Sequence, residues 1–274
     1  GGKTQLINDI ERTLPTEITN KKFTYIEPFV GSGAVLFWML NNFPELEKAV
    51  INDINKDLIN TYKTIATNPK ELISILEILQ NEFHNLEGSE ENKKLYYYNK
   101  RELYNTRKEE QIGQAALFIF LNRTCFNGLY RVNSKNLFNV PMGSYKKPTI
   151  CDKENIMAVS NVLQKVEILN GDFEQTLSYA TSNSLFYFDP PYKPLSETSS
   201  FNSYAKDEFN DIEQIRLKDF CSKLDSLNYT WILSNSDVKE KNENDNFFDD
   251  LYSDFNIQRV DARRNINAKS DNCL

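Results

Sequence analysis

Phe23-Thr-Tyr-Ile-Glu-Pro-Phe-Val-Gly-Ser-Gly33 decides the fold, because a β-prone run ends there in a glycine turn. Phe23 to Glu27 predicts a strand, and Ala34 to Asn42 continues it as a helix. A second strand is predicted at Ala49 to Asp53, followed by a helical stretch from Lys56 to Thr67. Strand, glycine turn, helix, strand, acidic residue is the βαβ grammar of a parallel sheet. That grammar returns at Val166 to Asn170 before Gly171-Asp172, and at Leu185 to Phe188 before Asp189. Thr230 to Ser234 and Asn256 to Val260 predict two further strands.

Between these halves the texture changes. From Pro69 to about Leu121 the pattern is helical, with Leu72, Ile75, Leu76 and Leu79 at helical spacing and an apolar helix from Ala115 to Leu121. A polar loop follows from Asn122 to Pro148. The expectation is an α/β protein with its sheet domain in 1–66 and 150–274 and an inserted, mostly helical subdomain in 67–149. Lys239 to Asp250 predicts a surface loop running into a helix at Phe247, its charge serving solvation.

The 274 residues contain 40% hydrophobic and 12% aromatic side chains, enough for a sizeable core. No apolar run approaches the ~20 residues of a membrane span and no signal-peptide pattern opens the chain. No membrane association and a cytoplasmic address are therefore expected. Cys125, Cys151, Cys221 and Cys273 form no CxxC pair, which predicts reduced, mostly buried thiols. One histidine, His84, argues against a His-based triad or a His-rich metal site, and reads as a surface residue. The net charge is −7, yet Gln111 to Cys151 holds no Asp or Glu while carrying Arg123, Arg131, Lys135, Lys146 and Lys147. A local positive surface suffices for phosphate contacts.

Glycines after a strand let the backbone approach a ligand, and the following helix N-terminus favours negative charge. Asp53, about 20 residues beyond Gly33, can accept hydrogen bonds from both hydroxyls of a ribose. Each feature alone has an ordinary reading, as a steric turn or a helix N-cap. The deciding element is Asp189-Pro-Pro-Tyr192 after the apolar strand. Two prolines cannot serve further ladder bonds, so they set a stiff turn at the edge where α/β sheets bind ligands. Such a turn aims the Asp189 carboxylate and the Pro190 carbonyl at one point, which a planar amine with two hydrogens would occupy. Tyr192 would stack on the base carrying that amine.

On these residues the chain resembles the Dam-type (alpha-class, D12) DNA adenine-N6 methyltransferases, in particular those acting on GATC. The resemblance implies a Rossmann-like S-adenosylmethionine-dependent methyltransferase sheet with a helical target-recognition insert. It implies cofactor contacts from Lys3, from the loop Glu27, Pro28, Phe29, Gly31, Ser32 and Gly33, from Asp53, from Asp172 and Phe173, and from Asp189. The catalytic residues would be Asp189, Pro190, Pro191 and Tyr192. The segment Asn122-Arg-Thr-Cys-Phe-Asn-Gly-Leu-Tyr-Arg-Val-Asn133, with Phe138 to Gly143, is similar to the family's recognition signature.

By that resemblance Arg131 would contact a guanine, an arrangement suited to bidentate major-groove reading. Leu129, Asn133 and Pro141 would line the DNA, and Asn127 would hold the duplex as the adenine leaves it. Arg123, Tyr130, Lys146 and Lys147 complete the expected DNA contacts. Leu195 to Ser199 would close over the flipped base. The family pattern also carries a Lys-Trp pair ahead of Gly1 and continues past Lys269-Ser270 into a further strand.

The implied reaction is direct methyl transfer from S-adenosylmethionine to N6 of a flipped adenine, leaving S-adenosylhomocysteine, with no metal. Double-stranded DNA is the expected partner, with a restriction endonuclease of the same site as a second one. Two alternatives stand beside this reading: an amine methyltransferase acting on RNA or protein, and a catalytically silent DNA-binding protein.

Overall fold

The computed structural model describes residues 7–86, 90–192, 209–240 and 242–260. Lys3, Leu195 to Ser199, Lys269-Ser270 and Cys273 lie outside the described residues. In chain order the elements are α1 (Ile7–Thr13), α2 (Thr16–Thr19), β1 (Phe23–Glu27), α3 (Ala34–Asn42), β2 (Leu46–Asp53) and α4 (Lys56–Thr67). Then come α5 (Pro69–His84), α6 (Glu90–Thr106), α7 (Gln111–Thr124), α8 (Lys153–Leu163) and β3 (Val166–Asn170). The chain ends its described course with β4 (Ser184–Phe188), α9 (Asp211–Ser226), β5 (Thr230–Leu233) and α10 (Phe247–Leu251). The strands form a parallel sheet in the order β3-β2-β1-β4-β5, the expected α/β class. The order reverses between β1 and β4, the kind of switch point where such sheets bind ligands.

The chain divides into two compact units, Gly1–Ala49 with Thr176–Leu274, and Val50–Gln175. In the first, β1 and β4 are buried along their whole length, as central parallel strands must be. Phe186 and Phe188 stack with centroids 6.1 Å apart, and Phe220 of α9 meets both edge-on.

In the second unit α7 packs against α4, α5 and α6. It buries Ala115, Ala116, Leu117, Phe120, Leu121 and Thr124, because a helix apolar on most of its faces has no side suited to water. Phe120 sits within 6.5 Å of the Phe83, Tyr96 and Tyr97 rings. No helix among the described residues is long and apolar enough to cross a membrane.

Three expectations are corrected. Asn256 to Val260 forms no strand. Ile257 and Val260 stay 43% and 46% exposed, and Arg259 turns into ion pairs with Asp237 and Asp249, so the run buries neither face. Lys239 joins the same network at 2.7 Å from Asp249, so part of the 239–250 charge braces the chain. His84 is half-buried, and its Nε2 bonds the Pro148 carbonyl at 2.9 Å. The thiols of Cys125, Cys151 and Cys221 are free, and burial pushes Cys125 up to about 11.

Truncating Phe120 to Ala should cost about 3–5 kcal/mol through the cavity it leaves. A denaturant midpoint within error of the parent would refute that placement of the core.

Candidate active site and recognition surface

The turn after β1 begins at Glu27, whose buried carboxylate accepts the Tyr25 hydroxyl at 2.8 Å. Pro28 is buried, Phe29 packs against Phe188, and Ser32 is exposed. Gly31 and Gly33 take positive φ of 49° and 73°, and Gly33 caps α3. A Cβ at Gly31 would meet nothing within 4 Å, so glycine stands there for its backbone angle and the turn faces open space.

The end of β4 lies next to this turn. Tyr25 pairs with Leu185 and Ile26 with Phe186, and that register sets Glu27 beside Tyr187. Burial foremost, then the Asp189 carboxylate, pushes the Tyr187 phenol far above its ordinary value, and burial with Glu27 does the same to Tyr25. Both phenols therefore stay protonated. Tyr187 shares a 2.9 Å hydrogen bond with Ser234, and the Ser234 N–H donates to the Phe188 carbonyl at 2.8 Å. Asp189 is half-buried, Pro190 buried, Pro191 exposed and Tyr192 45% exposed, so the tetrapeptide passes from core to surface within four residues. The turns at 27–33 and 189–192 thus leave the carboxyl ends of two neighbouring strands, β1 and β4.

The second unit gathers the other predicted cofactor residues. Asp53 does not cap α4: Asn55 does, accepting from the Asp57 and Leu58 amides, while one Asp53 oxygen accepts the Asn55 N–H. The Asp53 carbonyl accepts Gly171 N–H and the Asn170 side chain, and Asn52 bonds the Gly171 carbonyl and Gln175. This ties Gly171-Asp172-Phe173 to the end of β2. Phe173 is buried and Asp172 exposed. Ile54, unnoticed in the sequence, is 74% exposed beside Asp53.

The 122–150 segment is a stitched arch. Small antiparallel bridges join Cys125 to Met142 and Val132 to Phe138. Asn105 of α6 bonds both the carbonyl and the N–H of Phe138, while Tyr97 and Arg101 donate to the Val140 carbonyl. From α5, Gln80 accepts the Ile150 and Cys151 amides. A side chain at Gly143 would stand 2.8 Å from the Cys125 carbonyl, so glycine allows the arch to close.

With its back fixed, the arch exposes Arg123, Asn127, Leu129, Arg131, Asn133, Pro141, Lys146 and Lys147, together with Phe126. Asn139 orients Arg131, accepting its Nε at 2.8 Å, and Asn133 accepts the Lys135 and Leu137 amides in the tip turn. Tyr130 differs from its neighbours. Its ring turns inward onto Phe118 and Phe138. Among the described residues no cluster of His, Cys, Asp or Glu could hold a metal.

Because Tyr25 and Tyr187 bind their protons more tightly when folded, their contribution to stability is complete below about pH 10 and is lost as pH rises beyond it. Tyrosinate absorbance should therefore appear for these residues only together with loss of fold in an alkaline titration. Their early, reversible ionisation in folded protein would contradict the buried pairing.

Residues 1–266 match the family model described as D12 class N6 adenine-specific DNA methyltransferase. The chain is 48% identical to the type II methyltransferase M.MjaIII of Methanocaldococcus jannaschii, covering 99% of this chain and 92% of that protein. It is 41% identical to the type II methyltransferase M1.LlaDCHI of Lactococcus lactis subsp. cremoris, covering 98% and 88%. Identity to the DNA adenine methylase of Haemophilus influenzae is 35%, covering 99% and 87%. With the sheet, the proline turn and a match over almost its whole length, the chain belongs to the D12 class of N6 adenine-specific DNA methyltransferases.

Proposed function

We propose that this enzyme methylates adenine N6 within GATC in cytoplasmic double-stranded DNA, acting on a base flipped out of the duplex. The observation that carries the reading is the Asp189–Tyr192 turn, which leaves the buried end of β4 and reaches the surface at Tyr192. S-adenosylmethionine, the methyl donor that the family implies, supplies an electrophilic methyl group and leaves as S-adenosylhomocysteine.

The residues present fit that donor. The positive-φ turn at Gly31 and Gly33 offers backbone to it, Asp53 the ribose acceptor, and Glu27, Pro28, Phe29, Ser32, Asp172, Phe173 and Asp189 its further contacts, with Lys3 added by the family resemblance alone. Ile54, apolar and open beside Asp53, suits a nucleobase face. Asp189 and the Pro190 carbonyl accept the two N6 hydrogens, which orients the nitrogen and raises its electron density. Pro191 stiffens the turn and Tyr192 stacks on the base. The transfer needs neither metal nor covalent enzyme intermediate.

On the arch, Arg123, Lys146 and Lys147 neutralise phosphates, Arg131 reads a guanine, Leu129, Asn133 and Pro141 line the groove, and Asn127 steadies the opened pair. Tyr130 anchors the arch through its ring contacts with Phe118 and Phe138. Two relatives bear the name type II methyltransferase, which supports a restriction endonuclease of the same site as partner.

Mapping methyladenine on unmethylated plasmid should find it confined to GATC. Modification of another motif would discard the Arg131 assignment while keeping the chemistry. Arg131→Ala should lower kcat/KM at the cognate site by about ten- to a hundredfold and spare non-specific affinity. Asp189→Ala should lower kcat, measured at saturating S-adenosylmethionine, by about a hundred- to a thousandfold. Normal turnover by that variant would remove Asp189 from the mechanism.

A further inference from the structure

Gln214 lies in the first turn of α9 and is wholly buried, yet it carries a primary amide. Its Nε2 donates to the Pro191 carbonyl at 3.2 Å, and its Oε1 accepts Asn235 Nδ2 at 3.2 Å. Asn235 in turn accepts the Ser236 N–H at 2.8 Å. Both ends of the relay are anchored. Asn210 caps α9 by accepting the Ile212 and Glu213 amides, and its carbonyl accepts Gln214 N–H. Just before Asn235, Ser234 continues the β4–β5 ladder through its bond to Phe188.

A methionine or leucine would fill that space with no partners to find. A buried amide with both its nitrogen and its oxygen hydrogen-bonded suits a place where a carbonyl must be held. Proline rings already lock φ at Pro190 and Pro191, so each keeps only ψ as a soft torsion. The Pro191 carbonyl belongs to the peptide that leads into Tyr192. Fixing it fixes the second ψ and, with it, the peptide plane from which Tyr192 departs.

We propose that Gln214, braced by Asn235, is a positioning residue that aims Tyr192 at the target base. The inference rests on the reading of Tyr192 as the stacking platform and names what sets that platform. Gln214 touches no reacting atom and acts only through the turn.

The test is a kinetic double-mutant cycle on the full chain with GATC duplex DNA and S-adenosylmethionine. Gln214→Met keeps the volume and removes the donor. It should lower kcat by about three- to tenfold, the scale of one hydrogen bond, with KM for the cofactor unchanged. In a Tyr192→Ala background the same change should have no further effect on kcat.

An equal fractional loss in both backgrounds, or a normal kcat for Gln214→Met, overturns the inference. A normal kcat for Tyr192→Ala alone overturns the stacking reading instead, so the two failures are distinguishable. Should Gln214→Met fail to fold, Asn235→Ala loosens the brace from the other side. It is expected to give a smaller loss of kcat with the same non-additivity, and additivity there sinks the proposal equally.

Discussion

A strand hydrogen-bonded on both edges and buried on both faces cannot continue through two prolines, and the candidate active site depends on that. The ladder of β4 pairs with β1 on one side and β5 on the other, and it ends where Phe188 accepts the Ser234 amide. Beyond it, Pro190 and Pro191 have no N–H to give, so the chain must leave the sheet. The exit falls beside β1, where the strand order reverses and sheet grammar leaves a crevice. Carbonyls that would have served a ladder become available to another partner.

The recognition arch solves the opposite problem. It is irregular backbone over a core, and its inward carbonyls and amides need partners. Those come from side chains on two helices: Gln80 and His84 on α5, and Tyr97, Arg101 and Asn105 on α6. Each bond removes freedom from the back of the arch and leaves the front to carry Arg131, Leu129 and Pro141. On the proposed reading the arch is a reading head, which discriminates only if it is held in place, and this stitching holds it.

The two solutions were not equally legible in the sequence. β1, α3, α4, β3 and β4 announce themselves through continuous apolar runs or helical spacing bounded by glycine and acid, signals that depend on neighbours in the chain. Asp189-Pro-Pro-Tyr192 is visible for the same reason. Strand order is not, since it depends on which edges meet. Gln80, Asn105, Gln214 and Asn235 escape because one polar residue in an amphipathic helix or loop looks like surface until its distant partner is known. Asn256 to Val260 misled in the other direction: its alternation suits a strand, but an ion-pair network holds Arg259 and no ladder forms. Tyr130 sits inside the recognition signature and yet faces the core, a matter of one residue's rotation that no spacing reveals.

A net charge of −7 would oppose DNA if the protein acted as a point charge. It does not, because the Debye length at physiological salt is about 8 Å, and carboxylates beyond that distance are largely screened from a phosphate at the arch. A phosphate brought to the arch would sense the neighbourhood of Arg123, Lys146 and Lys147, and the chain keeps Asp and Glu out of the whole stretch from Gln111 to Cys151. Screening also limits what those cations can do, since a phosphate contact attracts every sequence alike. Discrimination must therefore come from groups whose energy depends on position. On the proposed reading, the two bonds from Arg131 to Asn139 serve that need by orienting its guanidinium, while the lysines around it are left exposed.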